Sequence, residues 1–510
     1  MNWSDGYVSD AEYTSHYYAE LAPPHLDFAA LAAGVMPPDR SGGRFRYCEL
    51  GCGNGMSTTI LAASNPDAEF VGIDFMPVHI ANSRKAARRG GLTNVQFREL
   101  SFADACREDL GQFDYIVAHG VYSWITPENR AEMVDFYRKF LAPGGLVYLS
   151  YNTYPGWLGI SPVQKIVSEI ARTRHGRSTE RALAGFDFAA RLLKSKAATL
   201  ELYPGARQQI ETARNWPANY LAQEYLNEAW YPLYVTEVMR ELAPAKLEYV
   251  ASATLAENDL RLVVSDELAA TIREQPTEEL RQLVKDISMN ARFRRDVYTR
   301  GGRRLSGLDQ RQLLAERHVA LTRAPEAITY RVEHLGRSLN FDTPHAHAVV
   351  EALAGGPAPL GRLAAACAGA PDPLSAALEA AQVLFISNQA LPVDEPRLTP
   401  AQMNEALTSA ALEDSACNAV ASALGTGVPV TPLEMALLSV PGSLGSLETA
   451  AEALRDIANR KGRVFHRAGK RIEGEEALAA FLTEEVGATL RNRVPAFRKL
   501  GLLPPVLPEA

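Results

Sequence analysis

Residues 48–55 read Cys-Glu-Leu-Gly-Cys-Gly-Asn-Gly, and nineteen residues beyond Gly55 the run Glu69-Phe-Val-Gly-Ile-Asp74 ends in an acid. A glycine turn closing one strand, coupled to an acid closing the next, requires two adjacent parallel strands in an open α/β sheet. Glycine is needed because the turn must take positive φ and let a ligand approach with no Cβ between them. The acid then stands where ribose hydroxyls would lie, so the pair points to a nucleoside-containing ligand. The spacing is G-x-G-x-G, with Glu49 two residues before Gly51, and not the G-x-G-x-x-G of dinucleotide sites. No Lys-Ser/Thr follows, so the turn is not a phosphate-cradling loop.

Residues 45–151 keep up the alternation of short apolar runs and amphipathic stretches. Strands are expected at Phe45–Gly51, Glu69–Asp74, Val95–Leu100, Phe113–His119 and Leu146–Tyr151. A helix over Glu128–Leu141 puts Met133, Phe136, Tyr137, Phe140 and Leu141 on one face, and Pro143-Gly144-Gly145 is expected to stop it. This is the rhythm of a doubly wound parallel sheet. Residues 155–235 break it. They read as helical and carry Trp157, Trp216, Tyr220, Tyr225, Trp230, Tyr231 and Tyr234, an insertion over the sheet's C-terminal edge. Leu247–Leu255 and Phe293–Thr299, separated by a helix over Glu278–Asn290, are expected as antiparallel neighbours. The Arg292–Arg295 run reads as a solvated strand edge. Glu326–Asn340 suggests a further strand pair. After Gly355-Gly-Pro-Ala-Pro359 come alanine-rich helices and a short strand at Val383–Leu391, a winged-helix-like start to a mainly helical C-terminal region. Four segments follow: 1–155 as ligand-binding core with an N-terminal arm, 156–236 as helical insertion, 237–342 as the end of the sheet with a middle domain, and 343–510.

With 510 residues the chain exceeds one core, and 47% apolar and 22% charged residues are those of a soluble globular protein. A net charge of −8 and the lack of a basic recognition helix argue against a nucleic-acid partner. Cys48, Cys52, Cys106, Cys367 and Cys417 are too scattered for a disulfide framework, and Cys48/Cys52 have no second Cys/His pair nearby. No metal is therefore expected, and His345/His347 read as a surface helix start. The N-terminus has no signal-peptide pattern and no run approaches the ~18 apolar residues of a membrane helix. A cytoplasmic protein with no membrane partner is expected.

The Glu49–Gly55 motif resembles that of class I S-adenosylmethionine-dependent methyltransferases. The resemblance extends to Ala118-His-Gly-Val-Tyr-Ser-Trp124, Tyr151-Asn-Thr-Tyr-Pro-Gly-Trp157, Tyr220-Leu-Ala-Gln-Glu-Tyr-Leu226 and Arg292-Phe-Arg-Arg-Asp-Val-Tyr298. Together these resemble the bacterial methyltransferases that carry a methyltransferase regulatory domain, among them the rickettsial protein-lysine methyltransferases. The resemblance implies a Rossmann-like, seven-stranded sheet and S-adenosyl-L-methionine as cofactor. It implies that Glu49, Gly51, Cys52, Gly53, Asn54 and Gly55 face the methionine part, with Asp74 at the ribose and Phe75 also binding the cofactor. Ser101, Phe102 and Asp104 would cap the adenine, Asp104 meeting its amino group. Tyr13 and Tyr17 belong to an arm that closes over the cofactor. His119, Tyr122, Trp124, Asn152 and Tyr154 stand at the edge where substrate would react, and His119 also borders the cofactor. Asn152 resembles the first residue of an N-P-P-Y motif but follows the fifth strand instead of the fourth, so neither glutamine nor adenine methylation is inferred. Gln223 stands where family members carry His. The implied activity is methyl transfer to a protein or peptide side-chain amine, lysine first, with homodimerisation. The alternatives are a small-molecule N- or O-methyltransferase and a non-catalytic cofactor-binding module.

Overall fold

The computed structural model describes residues 6–11, 15–213, 215–335, 337–413, 417–461, 465–467 and 470–503. The short apolar runs form β1 (Arg46–Leu50), β2 (Glu69–Asp74), β3 (Val95–Glu99), β4 (Phe113–Ala118), β5 (Leu141–Asn152), β6 (Leu247–Ser252) and β7 (Phe293–Arg300). They make one sheet in the order β3-β2-β1-β4-β5-β7-β6. The first five run parallel, and β7 lies antiparallel between β5 and β6. Chain order reverses between β1 and β4, which opens a crevice above their C-terminal ends. Around the sheet lie α1 (Pro23–Ala32), α2 (Met56–Ser64), α3 (Pro77–Arg89), α4 (Phe102–Ala105) and α5 (Pro127–Phe140). In α5 the hydroxyl of Thr126 accepts from the Asn129 amide, Pro127 opens the first turn, and Met133, Phe136, Tyr137 and Phe140 are buried.

The Pro-Gly-Gly stop acts differently from the sequence expectation. Helix α5 already ends at Phe140, and Leu141 pairs with Phe113 in the sheet. Residues 143–145 fall where the register shifts between Phe113 and Tyr115, so they reset the alignment of β5 instead of ending a helix.

Helices α6 (Ser161–Arg172), α7 (Ser178–Lys194), α8 (Ala198–Leu202), α9 (Pro204–Ala213) and α10 (Ala218–Leu226) form the insertion. Val163, Val167, Phe186, Ile210, Leu221 and Tyr225 make its core, and Val8 and Ala11 of the N-terminal arm pack into the same cluster.

The Arg292–Arg295 run is not a solvated edge. Strand β7 has β5 on one side and β6 on the other, and Arg294 is 2% exposed. Its guanidinium meets Asp296 at 2.9 Å, also meets Asp286, and donates to Gln282 Oε1 at 3.0 Å. The Tyr151 hydroxyl donates to Asp296 at 2.7 Å. Burial pushes the Asp286 carboxyl up to about 6. Arg294, read from sequence as solvent-facing, is thus the buried partner of two carboxylates.

Beyond β7 come β8 (His318–Leu321), β9 (Arg331–His334), β10 (Arg337–Asn340), β11 (Ala358–Pro359) and β12 (Ala390–Val393). β9 and β10 are the expected pair, and β11-β8-β12 form a three-stranded antiparallel sheet. The strand expected at Val383–Leu391 starts later. Val383–Ile386 is the last turn of helix Pro373–Ile386, Asn388 turns the chain at φ 53°, and β12 begins at Ala390. A short apolar run fits either state, and here it continues the buried face of Ala377, Ala380 and Ala381. Last, β13 (Ala419–Ala421) and β14 (Gly427–Pro429) form a hairpin that packs on α2. One apolar cluster runs from Leu26 and Tyr47 through Ile60 and Phe385 to Val428 and Phe497, so the C-terminal third shares its core with the sheet. Among the described residues no helix is long and apolar enough to cross a membrane.

Replacing Arg294 by Met leaves Asp286 and Asp296 buried without their cation. We expect a loss of about 3–5 kcal/mol in unfolding free energy by urea titration; a change under 1 kcal/mol would show that the pairs contribute nothing net.

Candidate functional site

The turn after β1 is set by three residues at positive φ: Gly51 (69°), Gly53 (52°) and Gly55 (68°). The amides of Gly51 and Cys52 donate to the Ile73 carbonyl at 2.8 and 3.0 Å, which fixes the turn to the end of β2. The Gly53 amide donates to Asp74 Oδ2 at 2.8 Å, and Asp74 Oδ1 accepts from the Met76 amide at 2.9 Å. His79 Nδ1 lies 3.3 Å from the same oxygen. The three glycines are needed for different reasons. A Cβ on Gly51 would stand 2.5 Å from Val121 Cγ2, and one on Gly55 2.6 Å from Ser83 Oγ. A Cβ on Gly53 would meet no atom within 4 Å. Gly53 borders a cavity of about 650 Å³, so only there is the bare backbone open to a ligand.

Glu49, at the end of β1, is buried and lines this cavity. The Thr58 hydroxyl donates to its carboxylate. Burial outweighs that bond and pushes its carboxyl up to about 7, with the nearby Asp74 charge adding to the rise. A cationic group placed beside it would reverse this. The cavity is therefore lined by a bare glycine turn and the carboxylates of Asp74 and Glu49, a set whose chemistry fits a nucleoside joined to an amino acid.

The N-terminal arm covers the cavity. Gln223 Nε2 donates to the carbonyls of Val8 and Ala11 at 2.9 and 2.6 Å, and Val8 donates to Asn227 Oδ1 at 2.9 Å. Further along, Asn54 Nδ2 donates to Ser15 Oγ at 3.0 Å. Tyr17 is held by the C-terminal hairpin: its hydroxyl is 2.9 Å from Thr426 Oγ1 and accepts from the Gly427 amide at 2.8 Å. Asn418 accepts from the Tyr17 amide at 2.7 Å and donates to its carbonyl at 3.2 Å. Extended backbone sends neighbouring side chains opposite ways. Tyr18 accordingly stacks on His119 with ring centroids 3.6 Å apart.

His119 ends β4. Its Nδ1 pairs with the Tyr148 hydroxyl at 2.8 Å. Burial and the Arg295 charge push its pKa down to about 3, so the ring is neutral. Asn152 is buried at the end of β5 and borders the cavity, its amide N–H held by Ser123 Oγ at 2.8 Å. Trp124 and Trp157 also line it, and the Arg292 guanidinium lies 4.2 Å over the Trp157 ring.

Of the residues singled out from sequence, the cavity brings together Glu49, Gly51, Cys52, Gly53, Asn54, Asp74, Phe75, Ser101, Phe102, His119, Trp124 and Asn152. The others lie elsewhere. Tyr122 is fully buried and donates to Glu241 Oε2 at 2.7 Å, under the Arg130 guanidinium. The Tyr154 ring packs on Tyr234. Gly55 backs onto Ser83 and Phe97. Asp104 faces solvent, accepting from the Ser101 hydroxyl at 2.7 Å and pairing with Arg107 at 2.7 Å, which makes it part of the cap of α4. Tyr17 points to the hairpin, and Tyr13 lies outside the described residues. Sequence reasoning missed Tyr7, Tyr18, Glu224 and Arg295 as cavity residues. For Tyr18 a signal existed: two consecutive tyrosines on an extended arm face opposite sides.

Two family models match the chain: "Methyltransferase domain" over residues 48–147 and "Predicted methyltransferase regulatory domain" over residues 217–300. An uncharacterized protein of Synechocystis is 30% identical over 509 residues, 98% of this chain and all of that protein. An uncharacterized protein of Rickettsia prowazekii is 29% identical over 48% of this chain and 44% of its own length. The structure of PKMT2 from Rickettsia typhi in complex with AdoHcy matches at TM-score 0.69 with 17% identity, covering 96% of this chain and 99% of that one.

Gly53→Ala tests the cradle. Positive φ costs an alanine about 1 kcal/mol, so the variant should fold with a small drop in Tm. Its methyl group should lower affinity for S-adenosylhomocysteine by at least about tenfold in isothermal titration. Gly55→Ala, with Ser83 and Phe97 in the way, should lose far more stability.

Proposed function

Because this chain belongs to the class I S-adenosylmethionine-dependent methyltransferases that carry a methyltransferase regulatory domain, we propose that its acceptor is a side-chain amine of a protein or peptide, with lysine as the residue methylated. The cofactor is S-adenosylmethionine. When bound, it supplies an electrophilic methyl group on a sulfonium; displacement by an amine forms an N–C bond, breaks the C–S bond and leaves a neutral thioether.

The chain's own groups bind, orient and exclude water. Asp74 keeps lone pairs for the ribose hydroxyls while its backbone bonds hold it still. Glu49 faces the amino-acid end, and Leu100 and Phe102 offer apolar surface to the base. An amine must arrive neutral although its free pKa is about 10.4, and burial between aromatic walls lowers that value. Burial pushes the Tyr18 phenol up to about 12, so it stays protonated and can orient a lone pair. The Asn152 amide stands on the same wall. His119, neutral and stacked, shapes the chamber without carrying charge.

The observation that carries the reading is that the cavity extends past the cofactor cradle into an aromatic and amide chamber, bounded by Tyr18, Trp124, Asn152 and Tyr220. The fold of PKMT2 is shared along nearly the whole chain. The arm pinned across the cavity favours a second reading, a small amine or hydroxyl acceptor. The same proposal places the enzyme in the cytoplasm, in keeping with five unpaired cysteines, and as a homodimer. Incubating the protein with methyl-labelled cofactor and a lysate separates the acceptors. Label in macromolecules, on lysine by mass spectrometry, is expected; label only in small solutes would transfer the assignment to the second reading.

Glu49 gives a pH test. Free, its carboxyl titrates near 7; beside the cofactor's ammonium it favours the carboxylate. Below pH 7 binding must therefore release a proton, and affinity should fall up to about tenfold per pH unit. Isothermal titration between pH 8 and 6 should show this for the wild type and a flatter profile for Glu49→Gln. Parallel profiles would remove Glu49 from the cofactor.

A further inference from the structure

Arg292 lines the cavity immediately before β7. Its guanidinium is held by neutral groups: it lies 4.2 Å over the Trp157 ring, and Nη1 donates to Gln209 Oε1 at 3.1 Å. Gln209 is buried, and its Nε2 donates to the Tyr225 hydroxyl, which turns the amide oxygen toward the arginine. Among the described residues Arg292 forms no ion pair. Other arginines of the interior do: Arg40 meets Asp27 at 2.7 Å, Arg130 meets Glu241 at 3.0 Å and Arg493 meets Glu434 at 2.6 Å. On the cavity wall itself, Arg295 lies 3.5 Å from Glu20 and His79 lies 3.3 Å from Asp74.

Taking a cation out of water with no anion beside it is costly, and a carboxylate on a ligand offsets that cost. A guanidinium suits such a ligand, because its five N–H donors form a planar fork that matches a carboxylate. Here Gln209 takes one donor, and stacking on Trp157 holds the plane before any ligand arrives. The position fits the acceptor. Asn152 on the chamber wall pairs with Phe293, and the Thr153 amide donates to the Arg292 carbonyl at 3.0 Å, so Arg292 stands one residue along from that wall. Its side chain touches Trp157 and Gln209 of the insertion, not the glycine turn. Glu224 of α10 faces the same cavity and has a partner of its own, but forms no ion pair with Arg292.

We propose that Arg292 determines acceptor specificity: its guanidinium binds a carboxylate that the acceptor carries next to the amine to be methylated. In a polypeptide that carboxylate is an acidic side chain flanking the target lysine. This rests on reading the cavity as a methyl-transfer chamber. Two groups of the acceptor are then read together, the amine by the aromatic and amide chamber and its acidic neighbour by the fork beside it. A lysine between neutral residues enters the same chamber without the second contact and binds less tightly.

The test uses the full-length protein loaded with S-adenosylhomocysteine and two pairs of probes, followed by calorimetry. One pair is the tripeptide acetyl-Glu-Lys-Glu-amide and its Gln-Lys-Gln counterpart. The other is Nα-acetyl-lysine and Nα-acetyl-lysinamide, which differ by a single carboxylate. The acidic tripeptide should bind about tenfold or more tightly than the neutral one. Arg292→Gln should bring the two within about twofold of each other and leave S-adenosylhomocysteine affinity within about twofold. Should that variant not fold, Arg292→Lys carries the comparison: it keeps the charge and loses the fork, and the preference should fall to about threefold. Equal binding within both pairs, no binding of any probe, or an unchanged preference in a folded variant overturns the proposal. So does a loss shared equally by acidic and neutral probes, the mark of a merely structural role. A loss confined to S-adenosylhomocysteine also overturns it and would put Arg292 in the cofactor site. The polypeptide reading fails separately: a preference for acetyl-lysine over its amide, with neither tripeptide bound, would keep Arg292 on the carboxylate and move the acceptor to small molecules.

Discussion

The hydrogen bond from the Gly53 amide to Asp74 joins the turn after β1 to the end of β2. It exists because Gly53 takes positive φ, which aims its N–H at a carboxylate that the parallel register places beside it. The same carboxylate takes the Met76 amide at the start of α3. One side chain therefore sets the turn and the first turn of the next helix together. Asn54, one residue on, then reaches the arm through Ser15, so the cradle also locates its own cover.

The parts of the fold legible in the sequence are those whose signals are local. The glycine turn, the acid at Asp74 and the first five strands are each marked by a few consecutive residues. The parts that were not legible rest on partners far apart in the chain. Arg294 looks solvated until Asp286 and Asp296 close on it. The parts played by Gln223, Asn227 and Asn418 emerge only once the arm lies across them.

The candidate site shows the same division at finer scale. The loops after β4 and β5 border the cavity, yet each sends some residues in and some back. In the short turn Tyr122–Trp124 the tryptophan faces the cavity and Tyr122 turns inward to Glu241. Local spacing does not reveal that choice, because the position of Glu241 on a later helix decides it. The acid at Asp104 illustrates a competing demand. A Ser-x-x-Asp sequence at a helix start is satisfied by capping itself, and the carboxylate is drawn outward to Ser101 and Arg107.

Tyr17 is fastened by Asn418, Thr426 and Gly427, four hundred residues downstream. Chains are made from the N-terminus onward, and domains fold as they emerge. Tyr17 therefore leaves the ribosome about four hundred residues before its anchor. The central sheet and the insertion can assemble while Tyr17 is still unfastened, so that attachment comes after the rest of the cavity. A nascent chain stalled before residue 427 would hold the arm at Gln223, Asn227 and Asn54 but leave Tyr17 without its clasp.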